Sequence, residues 1–154
     1  MTKSYKFAAA PGHLIRRAQQ IAVAVFMEET AEFDVTPVQF AILNALIDNP
    51  GEDQVTLAKN VAFDPATFGS VISRLEVKGW VTRAADVGDK RRKLLWITEE
   101  GKQVAFSMKR AVAHAQVRIV GPLDELEQDQ LVRLLGKLVA AHDSAESRLT
   151  GNSV

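Results

Sequence analysis

Residues 65–81 read Pro65-Ala66-Thr67-Phe68-Gly69-Ser70-Val71-Ile72-Ser73-Arg74-Leu75-Glu76-Val77-Lys78-Gly79-Trp80-Val81. At 100° per residue, Phe68, Val71, Ile72 and Leu75 fall within about a third of a helix circumference, so that face belongs in a core. The opposite face carries Ala66, Ser70, Ser73 and Val77, with Thr67 and Arg74 on its flanks. Surface helices usually show Lys and Glu there; this one presents small side chains that let another body approach closely. Asp64 before Pro65 reads as the N-cap, and Gly79 as the residue just past the end.

Downstream, Trp80 to Ala84 and Lys93 to Thr98 alternate as two strands around a turn from Asp86 to Arg92. In the second strand Leu94 and Trp96 face one way and Leu95 and Ile97 the other. The turn ends in Asp89-Lys90-Arg91-Arg92-Lys93. Upstream, Asp53 can cap a short helix from Gln54 to Val61 with Leu57, Ala58 and Val61 in one stripe. The link Ala62-Phe63-Asp64 joins it to the helix quoted first, a helix-turn-helix. Before that, Thr36-Pro37-Val38-Gln39 is a capping box with Pro37 at N1, opening a helix that carries Phe40, Leu43 and Ile47 inward. It stops at Asn49-Pro50-Gly51.

A helix with a small-residue face followed by a basic hairpin is the arrangement of a winged helix-turn-helix on DNA. The helix fits a major groove about 12 Å wide, and the hairpin meets backbone and minor groove. Ala66, Thr67, Ser70, Ser73 and Arg74 are the expected helix contacts, with Ser and Thr hydroxyls meeting bases or phosphates and Arg74 a phosphate. Asp89, Lys90, Arg91, Arg92 and Lys93 are the expected wing contacts. Arg91 suits the minor groove, and Asp89 is expected to hold its guanidinium through a bidentate pair. The small-residue face alone would equally suit packing against another subunit. The basic wing that follows favours DNA.

The chain has 154 residues, zero formal net charge, 47% hydrophobic residues and no cysteine. That suffices for a packed core and excludes disulfides, thiol catalysis and Cys-type zinc sites. The charge is uneven: Arg74 to Lys93 is net basic, and the chain from Asp124 onward is net acidic. Residues 1–7 contain no secretory h-region, and the run Ile21 to Met27 is too short to cross a bilayer, so a cytoplasmic protein without a membrane partner is expected. His13, His114 and His142 are scattered, with no metalloprotease, phosphate-loop or dinucleotide motif, so neither enzyme nor cofactor is expected.

Long helices flank the winged part, placed at about residues 36–98. The first, from about Pro11 to Glu32, repeats Leu14, Ala18, Ile21 and Val25 at helical spacing. Thr98 can cap a fifth helix ending at Gly121-Pro122. Asp124 can cap a sixth with Leu131, Leu134, Leu135 and Leu138 in a stripe, fraying after about Arg148. These stripes exceed what one small winged unit can bury, so residues 10–33 and 99–147 are expected to be dimerisation helices. The fold class is mainly α with a small β-hairpin wing, a winged helix-turn-helix flanked by dimerisation helices.

Five motifs in order carry a family resemblance: Thr36-Pro37-Val38-Gln39-Phe40; Leu57-Ala58; Ile72 through Val81; Asp89-Lys90-Arg91; and Ile97-Thr98 with Gly101. Together they resemble the MarR family of winged-helix regulators, and the resemblance spans nearly the whole chain. It implies a homodimer on palindromic double-stranded DNA, acting as a repressor, with a small-molecule pocket where the dimer helices meet the winged domain. One departure stands out. Many members carry a base-reading arginine or lysine where this chain has Gly69-Ser70. The stretch Ala10 to Arg17 resembles the branch that controls aromatic-acid catabolism, implying a small aromatic carboxylate such as hydroxynicotinate or indole-3-acetate. Arg17, one turn from His13 and beside the apolar seam, is the expected carboxylate anchor. His13 adds a hydrogen bond, Phe40 an aromatic wall and Gln39 a polar handle. Intersubunit ion pairs are the alternative role for His13 and Arg17.

Overall fold

The structure, a computed structural model, describes residues 6–150, with side chains up to residue 144. Helix α1 spans Pro11–Glu29, α2 Pro37–Asp48, α3 Gln54–Asn60 and α4 Pro65–Val77. Strands β1 (Glu52–Asp53), β2 (Val81–Ala85) and β3 (Lys93–Ile97) form one antiparallel sheet in the order β1-β3-β2. Helices α5 (Glu99–Val120) and α6 (Glu125–Thr150) complete the chain. It divides into two compact units, Met1–Gln116 and Val117–Val154.

The caps are where local chemistry places them. Thr36 Oγ1 accepts from Gln39 N, and Gln39 Oε1 accepts from Thr36 N, closing the capping box of α2. Asp53 accepts from Val55 N and Asp64 from Ala66 N, so α3 and α4 begin on aspartate caps. Past α4 the chain reverses through Gly79 at φ +77°, a conformation glycine adopts without a Cβ clash. Thr98 ties the wing to α5: its hydroxyl donates to Gly79 O and accepts from Gly101 N. Gly101 is buried against the Trp80 carbonyl, which a Cβ would strike, so this crossing requires glycine.

The core of the first unit is a three-helix cluster sealed by the sheet. Ile42, Leu43 and Leu46 of α2, Leu57 of α3 and Phe68, Ile72 and Leu75 of α4 meet Val81 and Leu95, nearly all inaccessible to solvent. A second cluster joins Phe26 of α1, Val35 and Met108 of α5, with Phe33, Phe40 and Trp80 packed on it. In the second unit, Asp124 and Glu127 cap α6 reciprocally, and Leu134, Leu135 and Leu138 are exposed.

Three expectations are corrected, and a fourth lies outside the described residues. Helix α1 stops at Glu29 rather than Glu32: Thr30 turns its hydroxyl onto Phe26 O, a short 3-10 turn covers Ala31–Phe33, and Asp34 is left-handed. The inward face of α2 is centred on Ile42, Leu43 and Leu46, leaving Phe40 and Ile47 half-buried, because two clusters share this helix. The hairpin gains a third strand, Glu52–Asp53, paired with Leu94 and Leu95. The acidic pair on that strand carries no strand signal of its own. The expected fraying after Arg148 falls on residues whose side chains, and beyond Thr150 whose backbone, lie outside the described residues.

Candidate nucleic-acid interface

The face of α4 opposite the core is open to solvent: Ala66, Thr67, Ser70, Ser73 and Arg74 are all exposed. Their neighbours one face round, Phe68, Ile72 and Leu75, are fully buried, which fixes the rotation of the helix. Each hydroxyl on the open face is bonded back to the protein. Thr67 Oγ1 donates to Asp64, Ser70 Oγ to Thr67 O at 2.7 Å and Ser73 Oγ to Gly69 O at 3.0 Å.

The wing is braced against α4 by a residue that the sequence did not single out. Arg83, inside β2, donates to Gln54 Oε1 of α3 at 3.2 Å and to Ser73 Oγ at 3.3 Å. Its guanidinium also lies 2.8 Å from Glu76 Oε1, a buried oxygen met by charge rather than by an aligned hydrogen bond. One side chain thus joins three elements. A partner 29 residues away in sequence gives no local signal.

At the tip, Lys90, Arg91 and Lys93 are exposed. Arg92 pairs with Asp86 at 3.1 Å, and Asp86 also accepts from Gly88 N, so this pair closes the turn. Asp89 accepts from Arg91 N at 3.0 Å and lies 3.6 Å from Arg91 Nε. The expected bidentate Asp89–Arg91 pair is therefore absent; Asp89 spends one oxygen on the turn backbone, and the Arg91 side chain stays 95% exposed. The open face of α4 is thus lined by small side chains and the wing tip is basic, both exposed, with Arg83 bonding the wing strand to the helix.

The residues expected to hold a small acid are not gathered within one chain. Phe40 packs on Phe26, ring centroids 6.0 Å apart. Arg17 lies nine residues before Phe26, about 13 Å along α1, and His13 about 20 Å. His13 instead stacks on Phe7 at 4.6 Å and touches Arg16, while Arg17 reaches Gln20 at 3.5 Å. Gln39 is buried, and its carbonyl is held by the capping box. It lines an open groove of about 470 Å³ with Thr36, Ser73, Arg74 and Val77, on the side of α4 and away from His13. Lys78 crosses one end of this groove, donating to the carbonyl and carboxylate of Asp34 and lying over the Trp80 ring. A helical-period argument places residues around one helix, not across two, so it sets His13 near Arg17 on α1 but carries no distance from them to Gln39 and Phe40 on α2.

Comparison with known proteins agrees with this geometry. A model of the MarR family matches residues 33–92, the span from the turn before α2 into the wing. The transcriptional repressor NicR of Pseudomonas putida is 30% identical over 87% of this chain and 85% of its own length. The structure of Bordetella bronchiseptica BpsR, whose DNA binding is regulated by 6-hydroxynicotinic acid, superposes with a TM-score of 0.83. It is 31% identical and covers 89% of this chain and 98% of BpsR. The repressor CouR, solved on a 23-mer DNA duplex, superposes with a TM-score of 0.80 at 26% identity, over 90% of this chain and 99% of CouR. The chain belongs to the MarR family and is a DNA-binding transcriptional regulator.

Proposed function

We propose that this protein is a homodimeric cytoplasmic repressor that sits on palindromic operator DNA and is released by a small aromatic carboxylic acid. The observation that carries the reading is the exposure of both the small-residue face of α4 and the wing cations Lys90, Arg91 and Lys93. Ala66, Thr67, Ser70, Ser73 and Arg74 would meet the major groove, and Asp89 to Lys93 would set the wing on the backbone and minor groove. Exposed leucines on α6 and exposed Leu14 and Ile21 on α1 supply apolar surface for a second copy.

For the ligand, the support is the likeness to BpsR together with Arg17, an exposed guanidinium beside an uncovered apolar seam. Release requires an acid that prefers a dimer whose recognition helices are spaced wrongly for successive major grooves. Arg17 and His13 would reach such an acid in the dimer, where a second copy covers α1; Phe40 and Gln39 would line the winged side.

A mobility-shift titration on the gene's own upstream DNA tests the reading. Nanomolar to micromolar binding that weakens with salt is expected, and a panel of benzoate, hydroxynicotinate and indole acetate analogues should release it. In calorimetry Arg17→Ala should lose roughly 2–5 kcal/mol of acid affinity if it pairs with a buried carboxylate, while DNA binding survives. If no acid binds, or Arg17→Ala binds as the wild type does, the ligand part of the reading is wrong.

A further inference from the structure

We infer that the recognition face reads bases as a hydrogen-bond acceptor, so that Ser70 and Ser73 contact the exocyclic amino group of a base pair in the major groove, adenine N6 or cytosine N4, rather than purine N7 or O6. The inference rests on the DNA contacts proposed above and adds what they recognise. A hydroxyl has one proton to donate and two lone pairs to accept with. On α4 each proton is already committed: Thr67 to Asp64, Ser70 to the Thr67 carbonyl at 2.7 Å, Ser73 to the Gly69 carbonyl at 3.0 Å. Backbone carbonyls and a carboxylate can only accept, so the direction of these bonds is fixed by chemistry. Ser73 has in addition given one lone pair to Arg83 Nη2 at 3.3 Å. What these bonds leave unused is two acceptor sites each on Thr67 and Ser70 and one on Ser73.

In the major groove guanine shows only acceptors, N7 and O6, and thymine shows O4 and a methyl. An acceptor-only hydroxyl meets repulsion there and a donor only at adenine N6 or cytosine N4. Phosphate oxygens also accept, so these serines are poor phosphate ligands while their back-bonds last. The usual route to guanine, an arginine or lysine in the middle of the recognition face, is closed because that position is Gly69-Ser70. The methyls of Ala66 and Thr67, both exposed at the first turn of α4, sit where a thymine methyl across the pair would add apolar contact, favouring adenine over cytosine. Arg83 makes the readout directional, because the wing strand itself takes the lone pair that could otherwise tolerate a swapped base pair.

Selection of bound duplexes from a randomised library, run with wild type, Ser70→Ala and Ser73→Ala, locates the positions these hydroxyls read. At a position relaxed by either variant, the wild type should retain one base pair, whose amino group, adenine N6 or cytosine N4, is the expected contact. Wild-type binding is then measured on duplexes with that adenine replaced by purine deoxyriboside, which lacks the amino group, or by 7-deazaadenine, which lacks N7. Loss of the amino group should weaken binding about 3–10-fold relative to the same change at an uncontacted position, and loss of N7 should leave it unchanged. The serine-to-alanine variant that relaxed the position, folded by circular dichroism, should erase the difference. Sensitivity to 7-deaza substitution, insensitivity to loss of the amino group, or no position relaxed by either variant would overturn the inference while leaving DNA binding intact. Failure to bind any duplex at low salt would overturn the DNA contacts themselves.

Discussion

Helices α1 and α4 carry the same kind of pattern, an apolar stripe at helical spacing, yet the chain treats them oppositely. In α4, Phe68, Ile72 and Leu75 are 1% exposed or less; in α1, Leu14 and Ile21 are about half exposed and only Phe26 is buried. The stripe of α4 is closed by elements close in sequence, α2, α3 and the sheet. The stripe of α1 is closed by the same chain only at its last turns, where Phe26 meets Phe40 and Met108. Amphipathicity therefore announces that a face will be covered, not which molecule covers it. For α4 the cover is the fold; for α1 it is a second copy in the reading proposed above.

The largest effects should follow from breaking the closed face. Phe68→Ala removes a buried aromatic from the centre of the winged core and should lower unfolding stability by about 3–5 kcal/mol, read by denaturant titration. An open-face change such as Ile21→Asp should act differently. It should shift sedimentation from dimer toward monomer at micromolar concentration and leave the circular dichroism of the winged part unchanged, since obligate interfaces commonly bury more than about 2,000 Å² and tolerate no unpaired charge. A stable monomer for the wild type would refute the proposed cover, and collapse of the helical signal in Ile21→Asp would place that residue in the fold instead.

Smaller effects belong to the wing, which lies outside both stripes. Arg91→Ala should leave stability unchanged and weaken DNA binding on the order of tenfold, and Lys93→Ala should flatten the salt dependence by about one unit of slope. Anisotropy titrations at several salt concentrations measure both. Unchanged affinity for a folded Arg91→Ala dimer would remove the wing from the interface.

What could be read from the sequence follows the range of the forces involved. Caps act over three residues, so Thr36, Asp53, Asp64, Thr98 and Asp124 were legible along with the helices they open. The buried and open faces of α4 follow from period alone. Strand β1 was not legible, because two acidic residues pair with β3 through backbone groups that carry no residue signature. Nor was the Arg83 brace, whose partners Gln54, Ser73 and Glu76 come together only when three elements pack. The ligand quartet shows the same limit from the other side. His13 and Arg17 share a helix face, but their distance from Gln39 and Phe40 is set by how α1 meets α2, which periodicity does not contain.

The smallest effect separates two neighbours in the basic run Lys90 to Lys93, which the sequence presents as equivalent. Arg92 is tied to Asp86 at 3.1 Å, and the same carboxylate accepts Gly88 N, while Asp86 N donates to Arg92 O across the turn. Arg91 has only a long contact to Asp89 and projects into solvent. Arg92 thus shapes the turn that presents Arg91. Because Arg92 is half exposed, solvent screens its ion pair, and Arg92→Ala should cost at most about 1 kcal/mol of stability. Its effect on DNA affinity should be smaller than that of Arg91→Ala and should leave the salt slope nearly intact, since the charge removed was already neutralised. Equal losses of affinity and of salt slope for Arg91→Ala and Arg92→Ala would mean that the Asp86 pair opens on DNA and that both arginines reach the duplex.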